Sequence, residues 1–202
     1  MTKKPKNAKS PTTNAGLITV VALGRIGPDV VRVVSDSLQG TLRLPIILGQ
    51  PISLPQTAFM ESRNQYNSMS VIKYLAEEHS SGGLKVLGIT NKDLCTPILT
   101  YVFGEAYMGG EAAVVSCFRL YRGQAGEPVS TDHFLDRLVK VALHEVGHTF
   151  NVPHCHTGRC VMRASNSVKE LDDKLNYLCN YCELFLFEAV AEAMKSLDKA
   201  SR

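Results

Sequence analysis

The run His144-Glu145-Val146-Gly147-His148 constrains this chain more than any other feature. Two imidazoles four residues apart share one face of a helix, so both can reach a single ion. The surrounding pattern predicts that helix over residues 131–150, with Asp132 in the first turn, where a carboxylate suits the helix dipole. At about 100° per residue, Leu135, Leu138, Val139, Ala142 and Val146 form one stripe, and both histidines fall roughly opposite it. The helix is expected to bury the stripe in a sheet and present the histidines to a cleft.

His154 extends the pattern. Further helix cannot bring it to the same ion, so the chain must stop and fold back. Asn151 tolerates the left-handed conformation that ends helices, and Pro153 cannot continue one. Three neutral imidazoles leave one tetrahedral position open, as a catalytic zinc requires. Glu145 is not a ligand in this scheme. It is the expected base, taking a proton from the attacking water and passing it to the leaving amine. The five-residue string alone also arises by chance on solvated helices; the third histidine and the helix break distinguish this one.

Cys155, Cys160, Cys179 and Cys182 fall within 28 residues and supply four thiolates, enough to close a structural zinc site. Two disulfides or buried reduced thiols are the other readings, and the Cys-x-x-Cys spacing favours zinc and a reducing, cytoplasmic setting. Two zinc ions per chain are therefore expected. His156 is read as a neighbour of the ligands, Cys95 and Cys117 as buried thiols, and His79 and His133 as surface residues.

With 202 residues, 45% hydrophobic and 20% charged, the chain can bury a normal core. The net charge is only +3, and Lys3, Lys4, Lys6 and Lys9 carry much of it. Nothing there calls for nucleic acid or an acidic membrane as partner. No run approaches the ~18 apolar residues of a membrane span. The lysines before residues 17–23 faintly resemble a signal peptide, but no cleavage site follows, so that run is read as a strand.

Residues 1–14 are expected to form a disordered basic tail, and residues 15–202 one catalytic domain. Strands are expected at 17–23, 42–48, 84–90, 101–106 and 112–120, the last two joined by a turn at Met108-Gly109-Gly110. Pro45 argues for an edge position of the second. Helices are expected at 28–38, 68–79, 131–150 and 183–197, with loops at 50–64 and 123–128. This order predicts an α+β fold, a mixed sheet flanked by helices.

With Met162 following, the histidine pattern resembles the metzincin signature and its Met-turn. The cysteines narrow the resemblance to the archaemetzincins, in which a cysteine directly follows the third histidine, as Cys155 follows His154. Other segments are similar too: Ser62-Arg63-Asn64-Gln65-Tyr66-Asn67-Ser68, Leu87-Gly88-Ile89-Thr90, Val102-Phe103-Gly104-Glu105-Ala106 and Met162-Arg163-Ala164-Ser165-Asn166-Ser167. The resemblance spans residues 17–182. It implies a metzincin-like twisted mixed sheet with an active-site helix and a C-terminal helix, Met162 beneath the catalytic zinc, a four-cysteine zinc, and peptidase chemistry on a peptide or protein. Asn151 departs from the metzincin pattern, which has glycine there. Two further readings stay open: a zinc-stabilised peptide-binding protein with negligible hydrolysis, and a zinc-ribbon module. Glu145 favours the enzyme, and the mixed charges around the cysteines disfavour the ribbon. A monomer is expected.

Overall fold

The computed structural model describes residues 18–79 and 84–200. The expected basic tail, Leu17 and the His79 side chain lie outside this description. Strand β1 (Ile18–Leu23) is buried along its whole length. Helix α1 (Pro28–Leu42) starts with Pro28 in its first turn and ends at Arg43, which is left-handed with φ 54°. The expected end at Leu38 is thus one turn too early. Leu38 and Leu42 are four residues apart, so both enter the core, and helix continues to carry the second one in. The expected strand at 42–48 shrinks to β2 (Ile46–Leu48), beginning just after Pro45.

The segment expected to be a loop at 50–64 holds two 3-10 turns and β3 (Phe59–Met60). Then follow β4 (Gln65–Asn67), α2 (Ser68–His79), β5 (Lys85–Thr90) and β6 (Leu94–Cys95). Strands β7 (Gly104–Ala106) and β8 (Ala112–Ser116) form the expected hairpin, each shorter than predicted. The chain ends with α3 (Thr131–Thr149), α4 (Val168–Asp172) and α5 (Asn180–Ala200).

The main sheet has the order β2-β1-β5-β8-β7. Its first four strands are parallel and β7 pairs antiparallel at one edge. Edge placement of β2 agrees with Pro45. Parallel strands need cover on both faces: α1 and α3 pack on one, and Val71, Ile72 and Leu75 of α2 pack on the other. A small sheet, β3-β4-β6, lies apart. The α+β class with a mixed sheet and flanking helices is as expected. Among the described residues no helix is long and apolar enough to cross a membrane.

Helix α3 differs from the simple amphipathic expectation. It is capped by Ser130, whose hydroxyl accepts from the His133 N–H, yet from Arg137 onward every residue is buried. Residues 150–178 wrap the face opposite the sheet. His133 lies at the surface as expected, its side chain 42% exposed, and its Nε2 lies 2.7 Å from Asp172 Oδ1. Arg137, 1% exposed, donates to both oxygens of the same carboxylate and to the Leu120 and Arg122 carbonyls. This pair ties α3 to α4. Cys95 and Cys117 are buried free thiols as expected, and burial pushes Cys117 up to about 12.

Candidate active site and metal centres

Helix α3 ends in a Schellman motif. The Val152 N–H bonds the Gly147 carbonyl at 3.1 Å, and the Asn151 N–H bonds the His148 carbonyl at 3.0 Å. Asn151 takes the left-handed conformation, φ 64°. Its side chain lies against Gly109 of the β7–β8 turn, where an added Cβ would come within 2.6 Å of Oδ1. The chain reverses and returns His154 to the helix face.

The donor atoms of His144, His148 and His154 all lie within 4.8 Å of one another. His144 Nδ1 meets the Val161 carbonyl at 2.9 Å, and His148 Nδ1 meets the Val152 carbonyl at 2.8 Å. A carbonyl can only accept, so both Nδ1 atoms carry the proton, and each Nε2 presents a lone pair. The two Nε2 atoms are 3.0 Å apart. Tetrahedral zinc with Zn–N near 2.0–2.1 Å would place them ~3.3 Å apart, so the donor set fits this metal. Burial holds all three imidazoles below their ordinary pKa, and the Lys174 charge adds to this. Neutral rings are what a metal site needs.

Glu145 is buried beside the histidines, outside the ligand set. Burial pushes its carboxyl up to about 8; the neighbouring Glu105 adds to this and Lys174 opposes it. Its Cγ and Oε1 lie against Gly104 of β7, where a Cβ would stand 2.6 and 2.9 Å from them. Met162 is fully buried, and a Cβ on Gly147 would meet its sulfur at 2.7 Å. The Met-turn thus packs directly against the glycine between the two helical histidines. A cleft of about 670 Å³ opens over this group, walled by Tyr101, Phe103, Val141, Leu171 and Lys174.

The thiols of Cys155, Cys160, Cys179 and Cys182 also gather within 4.8 Å, all unpaired. Cys155 and Cys179 sulfurs are 3.7 Å apart, against ~3.8 Å for a tetrahedron of ~2.3 Å Zn–S bonds. The Thr157 and Cys179 N–H groups point at the sulfurs of Cys155 and Cys160. Burial alone would raise Cys155, but its hydrogen bonds with the Thr157 N–H and side chain and with the Cys182 and Cys179 thiols bring it down to about 7. The set suits a closed zinc site. His156 is exposed and belongs to neither ligand set.

Sequence reasoning missed two residues. Lys174 is 3% exposed, and its Nζ donates to the carbonyls of Val161 at 3.1 Å and Arg163 at 2.5 Å, on either side of Met162. Burial lowers it to about 8. Nothing local marks it among the surface-like Lys169 and Asp173. Gly104 lies in a segment that the family resemblance included, but its role depends on a contact with a helix 41 positions away in sequence.

The model of peptidase family M54 matches residues 29–187. The archaemetzincin of Haloquadratum walsbyi is 37% identical over 174 residues, covering 85% of this chain and 99% of its own. The crystal structure of the Methanopyrus kandleri archaemetzincin superposes with a TM-score of 0.78 at 30% identity, over 90% of this chain and 98% of that one. The Archaeoglobus fulgidus archaemetzincin, crystallised with malonate, gives 0.71 at 31% identity over 83% of this chain and 98% of its own. The chain belongs to peptidase family M54, the archaemetzincins, and with it to the zinc metallopeptidases.

Proposed function

We propose that this protein hydrolyses peptide bonds with a zinc held by His144, His148 and His154, with Glu145 as general base, and that Cys155, Cys160, Cys179 and Cys182 hold a second, structural zinc. The observation that carries the reading is the convergence of three imidazoles with a buried carboxylate that stays outside their ligand set. Bound there, zinc supplies a Lewis acid that polarises the scissile carbonyl and makes water more acidic. Glu145 accepts the proton of the attacking water and returns it to the departing amine. Gly104 leaves room for its carboxylate. Buried walls around Glu145 keep stray water from competing for it.

The substrate lies extended along the free edge of β7. That strand ends the sheet, and its residues line the cleft. Main-chain pairing there gives affinity with little side-chain selectivity. This edge is shorter than the expected 101–106. Unpaired thiols fit a reducing, cytoplasmic setting, and the protein acts as a monomeric single catalytic domain without nucleic acid or membrane.

Glu145→Ala tests the mechanism. It should keep its zinc and its fold, and turnover on a peptide the intact protein cleaves should fall at least about a hundredfold. Unchanged turnover in zinc-loaded Glu145→Ala protein would exclude Glu145 as the base. An intact protein that cleaves nothing in a broad peptide library would favour the peptide-binding reading instead.

A further inference from the structure

A second cavity, of about 840 Å³, adjoins the zinc-side cleft. Tyr101 and Phe103 line both. Between them the Tyr101 hydroxyl donates to the Asn166 carbonyl at 2.9 Å. This bond joins the rim that leads into β7 to the rim that follows the Met-turn. It stands as a strut across the end of the cleft.

The strut is fixed from behind. The Arg119 guanidinium stacks 4.1 Å above the Tyr101 ring and is itself held by both oxygens of Asp93. Gln65 donates to that carboxylate and to the Thr100 carbonyl. Arg63 donates to Gln65 and to the Thr96, Leu99 and Thr100 carbonyls. The backbone immediately before Tyr101 is therefore clamped by two side chains from the Ser62–Ser68 segment, whose role the catalytic chemistry leaves unexplained. At the far end, the Asn166 N–H donates to Glu170 Oε2 at 2.6 Å. A network anchored this way at both ends does not swing aside at low cost: opening it breaks a hydrogen bond and exposes a guanidinium–ring contact, together about tenfold or more in an equilibrium constant.

We propose that Tyr101 determines specificity by ending the substrate cleft: its strut to Asn166 separates the two cavities and limits how many peptide residues the protein accepts on that side of the cut. The preferred substrates are then peptides cut near a chain end. Arg63, Gln65, Asp93 and Arg119 act as positioning residues for Tyr101. This inference rests on the peptidase reading for its cut site, but the partition is a property of peptide binding and can be read without turnover.

The test uses a ladder of fluorescent peptides, extended one residue at a time at either end. Affinity is measured by anisotropy on the zinc-loaded Glu145→Ala protein, and kcat/KM on the protein with Glu145 intact. At one end only, extension past a threshold should weaken binding, and lower kcat/KM, by at least about tenfold. Adding Tyr101→Ala should remove that step, raising the long-to-short ratio about tenfold. Tyr101→Phe, which keeps the ring and loses the strut's bond, should fall between. Zinc content and melting temperature check each variant. No step at either end, an equal loss for all lengths in both Tyr101 variants, or failure of every ladder peptide to bind would overturn the proposal. A binding step without any cleavage would leave the partition standing and count against the hydrolytic reading alone.

Discussion

Gly104→Ala offers the sharpest test of how the fold places Glu145. An alanine Cβ would stand 2.6 Å from Glu145 Cγ, 2.9 Å from its Oε1 and 2.9 Å from Val141 Cγ1. Carbon atoms rest at about 3.5–4.0 Å, so Glu145 and β7 must part by roughly 1 Å. Val141 blocks relief on one side, and the pairing of Gly104 with Val115 in β8 holds the strand on the other. A misplacement of about 1 Å can cost about a hundredfold in rate. Turnover should therefore fall about a hundredfold in Gly104→Ala, with the full zinc content retained, because the atoms nearest the new methyl belong to Glu145 and Val141 and not to a histidine. The assay pairs single-turnover kinetics with elemental analysis and a thermal melt. Combining Gly104→Ala with Glu145→Ala should cost no more than Glu145→Ala alone, since both changes act on one group. Additive losses, or unchanged turnover in zinc-loaded Gly104→Ala, would refute the argument.

Elemental analysis should approach two zinc ions per chain, with a mild chelator removing the histidine-bound ion first; a value that stays at one after zinc supplementation would remove one of the two sites. Cys179→Ser should lower the melting temperature more than His154→Ala, because a structural zinc contributes directly to folding. Asp172 sits below the usual carboxylate range: burial pushes it up, and the hydrogen bonds from Arg137 and His133 outweigh that. Its contribution is thus present above the unfolded value near ~3.9 and lost as pH falls through the lower folded value. Asp172→Asn should cost about 2–3 kcal/mol at pH 7, with the difference shrinking at pH 3 in denaturant titrations. Gly147→Ala should lower stability, since its methyl would meet the Met162 sulfur at 2.7 Å; an unchanged melt would mean the Met-turn yields freely.

What the sequence revealed about the site was what local spacing encodes. His144 and His148 are one helical turn apart, Asn151 ends that turn in the conformation expected of it, and the cysteines come in register. The α4 helix was not expected, although Ser167-Val168-Lys169-Glu170 has capping-box spacing and Ser167 does accept from the Glu170 N–H. Strands β3 and β6, two residues each, carry too little alternation to register. Lys174, Gly104 and the Arg137–Asp172 pair were not legible, since each gains its role from a partner on another element. The stripe on α3 misled for the same reason. It described the sheet-facing side correctly, but the other side is covered by a segment with no periodicity of its own.

That covering segment links the two ligand sets. His154 and Cys155 are consecutive, so one peptide bond joins the histidine cluster to the cysteine cluster. The Cys155 N–H bonds the Met162 carbonyl at 2.9 Å, setting the Met-turn beside the reversed chain. One residue earlier, the Val161 carbonyl accepts from both His144 Nδ1 and Lys174 Nζ, which uses both of its lone pairs. The Val152 carbonyl does the same work for His148. The two carbonyls that orient the helical imidazoles, those of Val152 and Val161, and the third imidazole, His154, therefore all come from residues 152–161, which include Cys155 and Cys160 and have no regular structure of their own. Only Val152 is fixed by the helix end itself. The rest of the segment needs another source of rigidity, and the cluster of four cysteine sulfurs, which joins residues 155–160 to the start of α5, is where the fold can provide it.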